Sequence, residues 1–299
     1  MTDFSHGAAF IDGEFVPVAE ARIPILDWGF LHSDATYDVA HVWQGRFFRL
    51  DDHLDRFEHS MAALRMSIPY SREQICDLMF ELVRRSGLRN AYVEIVCTRG
   101  IPAPGSRDPR SCSNRFFAFV IPFVWIADEH LREQGLNLLI SARQRIPPES
   151  VDPTIKNYHW LDMVMGLFEA YDAGADSAVL VDSGGNLVEG PGFNIFVRSG
   201  DRVMTPERGV LAGVTRATVL ELLQGEDLRV RCEPVPIAIA EAADEIFITS
   251  TAGGVMPVTR LAGKAVGDGR VGALTTKLNQ AYWDLQDDPG YTRQVDYED

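Results

Sequence analysis

Lysine is almost missing from this chain. Of 28 basic residues only Lys156, Lys264 and Lys277 are lysines, so any chemistry that needs a primary amine has three candidates. Cysteine is sparse as well. Cys76, Cys97, Cys112 and Cys232 form no C-x-x-C pair and have no histidine at ligand spacing, which argues against a disulfide framework and against zinc. No apolar run approaches the roughly 18 residues of a membrane span, and the opening MTDFSH lacks the basic-then-apolar layout of a signal peptide. No lysine follows the glycines of the turns at 212–216 and 250–254, so neither is a P-loop, which disfavours nucleotide binding. A net charge of −15 makes nucleic acid and anionic membranes poor partners. The expectation is a cytoplasmic protein that handles small molecules and needs no metal.

What is present is an ordinary globular composition, 46% hydrophobic and 24% charged over 299 residues, enough for one large or two medium domains. The first half reads as mixed α+β. Residues 8–11 and 14–16 flank Asp12-Gly13 as a hairpin, and residues 34–43 and 46–50 flank Gln44-Gly45 as a second one. A helix capped by Asp51 or Asp52 is predicted through Met66, and another from about Ser71 to Arg85 stops at Gly87. Strands follow at 91–98 and 115–125, separated by the Gly-, Pro- and Arg-rich loop 99–114. The charged residues 126–135 read as a linker between a small N-terminal α/β domain (1–125) and a larger C-terminal domain (136–299). There, the spacing of Leu161, Val164, Met165, Phe168 and Tyr171 predicts a helix with those side chains on its buried face.

Four features carry chemistry. Lys156 stands in DPTIKNYHW (152–160), after a proline-studded loop and among Tyr158 and Trp160, a setting that can keep an amine from water; a plain surface lysine is the alternative. The turns AGVTR (212–216) and STAGG (250–254) can each offer backbone N–H groups and hydroxyls to a phosphate, though each also reads as a capped helix or plain turn. Glu189 ends an apolar strand before Gly-Pro-Gly, where a carboxylate could pair with a protonated pyridine nitrogen. Arg56, on the first helix, is either a fork for phosphate oxygens or a solvated ion pair near Asp52. A metal site from Asp51, Asp52, His53 and Asp55 is disfavoured, because adjacent helical residues point different ways.

Together these pieces resemble the fold-type IV pyridoxal-phosphate enzymes, a group that includes branched-chain aminotransferases, D-amino acid transaminases, aminodeoxychorismate lyase and (R)-selective amine transaminases. RLDDHLDRF (49–57), TIKNYHW (154–160), LVEGPGFNIF (187–196), GVTR (213–216) and STAGG (250–254) occur in family order across nearly the whole chain. The resemblance implies a two-domain α+β fold whose larger domain has a barrel-like β core, with pyridoxal 5′-phosphate as cofactor and a homodimer as the assembly. It makes Lys156 the Schiff-base lysine and Glu189 the partner of the pyridine nitrogen. Arg56, Val214, Thr215, Ser250 and Thr251 are similar to phosphate-side positions, and Phe193 and Asn194 to positions flanking the ring. Tyr37, Val39, Glu94, Arg107, Trp160 and Ala252 match substrate-side positions.

Two departures bear on the substrate. Branched-chain aminotransferases carry Tyr-x-Arg where this chain has Tyr92-Val93-Glu94, and an acid there would repel a substrate carboxylate. D-amino acid transaminases place an arginine and histidine after Thr-Arg-Gly. Here Thr98-Arg99-Gly100 leads into a loop with Arg107 and Arg110 and no histidine. With SDATYDVAHVW (33–43), these make the chain most similar to the (R)-selective amine transaminases, in which a loop arginine pairs with a keto-acid carboxylate. Arg107 and Arg110 both remain candidates for that role. The implied reaction is a ping-pong exchange of an amino group between an (R)-amine or D-amino acid and a keto acid or ketone. The alternatives are a branched-chain or D-amino acid aminotransferase, or an enzyme like aminodeoxychorismate lyase.

Overall fold

The structure is a computed structural model that describes residues 6–297. The first five residues, most of the stretch read for a signal peptide, and the last two lie outside the described residues. Two compact units are present. One runs to Val124 and takes in Ile155–Tyr158 and the chain from Gln286 onward; the other comprises Trp125–Thr154 and His159–Leu285.

The first unit contains β1 (Ala8–Ile11), β2 (Glu14–Pro17), α1 (Trp28–His32), β3 (Ala35–Trp43), β4 (Arg46–Phe48), α2 (Leu50–Ala63), α3 (Arg72–Ser86), β5 (Ala91–Ile101), β6 (Ser113–Pro122) and the late strand β18 (Thr292–Gln294). They form an antiparallel seven-stranded sheet in the order β18-β4-β3-β5-β6-β1-β2. Both expected hairpins are there. Asp12 and Gly13 have φ of 54° and 85°, and Gln44 and Gly45 have 49° and 80°, the paired left-handed residues that match the twist of a two-residue hairpin. Helices α2 and α3 bury Leu54, Phe57, Ile75 and Leu82 against Phe47 and Val93 of the sheet. A Ser71–Gln74 capping box starts α3 and left-handed Gly87 ends it.

Two local expectations are corrected. Neither Asp51 nor Asp52 caps α2: the cap is Arg49 at φ 48°, and the aspartates lie in the first turn, where their charge still opposes the helix dipole. The irregular stretch after Thr98 is also shorter than predicted. β5 continues to Ile101, which pairs with Ser113 across a register shift. Gly100 permits this at φ +81°, because a Cβ there would sit 1.7 Å from the Ser113 carbonyl oxygen.

The second unit contains α4 (Glu129–Gln134), β7 (Leu136–Gln144), α5 (Leu161–Asp172), β8 (Ser177–Val181), β9 (Asn186–Leu187), β10 (Glu189–Gly190), β11 (Phe193–Ser199), β12 (Arg202–Thr205), α6 (Val214–Leu222), β13 (Arg229–Cys232), β14 (Val235–Pro236), α7 (Ile237–Glu241), β15 (Glu245–Ser250), β16 (Gly254–Leu261), β17 (Lys264–Ala265) and α8 (Ala273–Asp284). Its eleven-stranded sheet follows the path β13-β12-β11-β15-β16-β7-β8-β9-β14, with β10 beside β11 and β17 beside β16. The pairs β7–β8, β7–β16 and β12–β13 are parallel. Leu138, Val179, Ile195, Ile248 and Met256 belong to its core.

Helix α5 overturns one expectation. Leu161, Val164, Met165, Phe168 and Tyr171 are 37–81% exposed. The buried face is Met163, Gly166 and Ala170. Small residues let α5 lie close to the sheet: a Cβ on Gly166 would be 3.2 Å from Leu180 Cδ1. The stripe of large apolar side chains therefore faces outward. No helix among the described residues is long and apolar enough to cross a membrane.

Candidate functional site

The first unit holds Lys156 by its backbone. Its carbonyl oxygen accepts from Tyr37 N (3.1 Å) and Thr36 Oγ1 (2.7 Å), and its N–H donates to Ser60 Oγ of α2 (3.3 Å). Asn157 forms a bridge to Thr36, so the segment lies along the start of β3 rather than in a helix, which begins only at Leu161. Lys156 Nζ lies 4.2 Å from the centroid of the Tyr37 ring and makes no hydrogen bond or ion pair with any described residue. Tyr37 stacks on Tyr158 at 4.3 Å and 14°. The Tyr158 hydroxyl donates to Glu94 Oε1 at 2.6 Å. Val39 packs in the same small cluster with Val96. Burial pushes the Glu94 carboxyl up, while the Tyr158 hydrogen bond and the charge of Lys156 pull it partly back.

Arg56 has a different partner from the one the sequence suggests. Asp52 pairs with Arg49, and Arg56 grips buried Asp38 through Nε (2.7 Å) and Nη2 (2.8 Å). Asp38 also contacts His53 Nδ1 at 2.8 Å. Burial alone would raise the Asp38 carboxyl, but Arg56 and His53 outweigh it and hold it well below the usual carboxylate range. The residues weighed as a metal cluster diverge accordingly. His53 turns inward to Asp38, whereas Asp51 and Asp55 turn outward to Arg72.

The loop arginines are in different states. Arg110 is exposed and held by its own turn, with Asp108 accepting from its backbone N–H and from Nε and Nη2. Arg107 is exposed and engages no described residue.

The second unit collects the other residues. Glu189, 4% exposed, pairs with Asn194 across β10–β11. Its Oε1 accepts from Arg145 Nε (3.1 Å) and its Oε2 from Leu211 N (2.9 Å). Asn194 Nδ2 donates to Leu211 O at 3.0 Å, and a Cβ on Gly213 would fall 2.2 Å from Asn194 Oδ1. Glu189 and Asn194 thus shape the turn before α6, whose start at Val214 and Thr215 is buried and capped by no side chain. Phe193 lies across Gly190. In the 250–254 turn, Ser250 Oγ accepts from Ala252 N, Ala252 O accepts from Ile126 N, and Thr251 is partly exposed. Thr249 Oγ1 is buried with no hydrogen-bond partner among the described residues. Trp160 stands at the start of α5, beside the Met163 cluster.

Asp38, Arg145, Asp162 and Thr249 escape the sequence reading, as does the bond from Tyr158 to Glu94. A charged residue inside the apolar strand 35–43 is a usable sign for Asp38. Arg145, among breakers, gives none.

These are two sheet-based units, with a lone lysine amine backed by tyrosines in one and a buried acid beside an uncapped helix start in the other. That combination defines an α+β enzyme of the aminotransferase type. A family model, amino-transferase class IV, matches residues 35–261, and the chain belongs to that family. It is 32% identical over 280 residues to a Methanocaldococcus jannaschii protein provisionally named a branched-chain-amino-acid aminotransferase, covering 93% of this chain and 96% of that one. A D-alanine aminotransferase of Staphylococcus haemolyticus is 26% identical over 276 residues, 91% and 95% of the two chains. Among solved structures, a T.th. branched-chain amino acid aminotransferase with pyridoxamine 5′-phosphate superposes with a TM-score of 0.90 at 26% identity, covering 97% of this chain and 99% of that one.

Proposed function

We propose that this aminotransferase uses pyridoxal 5′-phosphate to move an amino group between an (R)-configured primary amine or D-amino acid and a keto acid or ketone. The observation that carries this specificity is Glu94. It is 9% exposed and tied to Tyr158, at the strand position where branched-chain aminotransferases have an arginine. Whatever its protonation, it offers no positive charge to a substrate carboxylate, and the aromatic cluster beside it favours an apolar substituent.

The residues present fit the cofactor. Thr249 Oγ1 is an orphaned buried hydroxyl, and the start of α6 has N–H groups that no side chain caps. In this reading Val214, Thr215, Ser250, Thr251 and Arg56 hold the phosphate, Phe193 and Asn194 flank the ring, and Glu189 pairs with its nitrogen. When bound, pyridoxal phosphate supplies an electron sink for the pair left when the substrate carbon loses its proton. Lys156 provides the anchoring amine and then carries the proton at that carbon. Tyr37, Val39, Trp160 and Ala252 line the substrate side. Arg107, rather than the engaged Arg110, pairs with a keto-acid carboxylate.

The protein acts as a cytoplasmic homodimer. The support is the exposed apolar surface on each unit, Ile25, Leu26 and Phe30 in one and Leu161 and Phe168 in the other. A branched-chain or D-amino acid aminotransferase is the second reading, favoured by the names of the matched relatives.

Rates with both enantiomers of 1-phenylethylamine, D-alanine and L-leucine, each with pyruvate as acceptor, decide between them. The proposal expects (R)-1-phenylethylamine to be turned over at a rate comparable with or above D-alanine; turnover of D-alanine without the (R)-amine would favour the second reading. Preference for L-leucine would overturn it. Lys156→Ala is expected to purify without the lysine-bound cofactor's visible absorbance band.

A further inference from the structure

The geometry points to Asp162 as a positioning residue that sets the acceptor strength of Glu189 through a shared arginine. This inference rests on the proposed function in one respect, the pairing of Glu189 with the ring nitrogen. Arg145 bridges two acids: its Nε donates to Glu189 Oε1 (3.1 Å) and its Nη1 to Asp162 Oδ2 (2.7 Å). All three side chains are largely buried, at 9%, 5% and 11% exposure for Arg145, Glu189 and Asp162.

Asp162 is fixed independently of the arginine. Oδ2 also accepts from Ile146 N (2.8 Å), and Oδ1 accepts from Met163 N in the first turn of α5 (2.9 Å). The backbone of Arg145 is anchored by its N–H to Val181 O (2.9 Å), just past a register irregularity in the β7–β8 pairing. A rigid acid, a rigid guanidinium and Glu189 therefore stand in series. Burial opposes the charge on Arg145, but its two carboxylates more than restore it, so it stays a cation.

The consequence is electrostatic. An arginine paired with Glu189 alone would place its full charge on that carboxylate and weaken it as an acceptor for a protonated ring nitrogen. Sharing the guanidinium with Asp162 returns part of that electron density. Glu189 is then kept ionised and oriented by Arg145 and Leu211 N, yet remains basic enough to hold a cation. Neutralising Asp162 throws the charge of Arg145 wholly onto Glu189 and favours the unprotonated ring.

The test loads wild type, Asp162→Asn and Asp162→Glu with cofactor labelled with ¹⁵N in the ring. Chemical shift, kcat, KM and melting temperature are measured for each. The expected result for Asp162→Asn is a ring-nitrogen resonance displaced toward neutral pyridine. Its kcat falls about tenfold, with KM changed far less. Asp162→Glu restores the resonance. A folded Asp162→Asn protein whose resonance stays at the wild-type position overturns the inference, even if its activity falls, because a merely structural role leaves the ring nitrogen unmoved. Should Asp162→Asn fail to fold, Arg145→Lys, which keeps the charge but loses the two-pronged reach, is read on the same resonance with the same criterion. Borohydride reduction of the wild type separates the two claims. Absence of a pyridoxyl adduct on Lys156 overturns the proposed function and this inference with it, whereas an adduct with an unmoved resonance in the variant overturns this inference alone.

Discussion

Replacing Asp38 with asparagine tests the first unit where its energetics are most concentrated. Asp38 is 1% exposed and accepts from Arg56 Nε and Nη2 at 2.7 and 2.8 Å, from Val39 N at 2.7 Å, and contacts His53 Nδ1 at 2.8 Å. Asparagine keeps one acceptor but leaves a guanidinium of 10% exposure without its counter-ion. Breaking a buried pair from one side costs about 3–5 kcal/mol. Asp55→Asn is the control: its pair with Arg72 is 71% and 32% exposed, and surface pairs of that kind contribute about 0–1 kcal/mol. Urea unfolding at pH 7 measures both variants. The pH dependence gives a second check. Because the folded-state value of Asp38 is depressed below its ordinary 3.8, its stabilisation is complete above that value and is lost as pH falls through the lower, folded-state one. The deficit of Asp38→Asn should stay constant from pH 7 to near 4.5 and narrow only in stronger acid. A deficit below about 1 kcal/mol at pH 7 would mean that Arg56 does not depend on Asp38, and the reasoning fails.

Three other perturbations follow. Gly213→Ala places a Cβ 2.2 Å from Asn194 Oδ1 and should weaken cofactor affinity by more than about tenfold, read by fluorescence titration, beyond a destabilisation of about 1–3 kcal/mol in the cofactor-free protein. An unchanged affinity would separate that turn from the phosphate. Arg107→Ala should raise KM for pyruvate and leave KM for an apolar amine alone, while Arg110→Ala, whose side chain is already held by Asp108, should change neither; equal effects would remove the distinction. Tyr158→Phe strips buried Glu94 of its 2.6 Å donor and should cost about 1–3 kcal/mol in chemical denaturation.

The fold is legible where a local rule decides the outcome. Asp12-Gly13, Gln44-Gly45, and the Ser71 and Gly87 ends of α3 each need special backbone geometry, and residue type announces it. The reading fails where the partner decides. The periodicity of α5 is real, but a period says which side chains share a face and not what that face meets. Gly166 and Ala170 win the sheet because small residues allow close approach, and the large ones are left outside. Arg56 fails for a related reason. Asp52 is near in sequence, while Asp38 is brought to it only by the packing of α2 on β3.

Lys156 and Glu189 are prepared in opposite ways. At Lys156 the fold satisfies every backbone polar group, through Tyr37, Thr36 and Ser60, and leaves Nζ over the face of a tyrosine ring with no hydrogen bond to any described residue. The amine is held in place by its chain, so its own bonding capacity remains unspent for an electrophile. At Glu189 both oxygens are already engaged, one by a cation and one by a backbone donor. A carboxylate so held cannot rotate away, which suits the charged partner role proposed for it. Scarcity of lysine elsewhere then has a simple reading: with arginine supplying nearly all the positive charge, the chain offers an electrophile few competing primary amines.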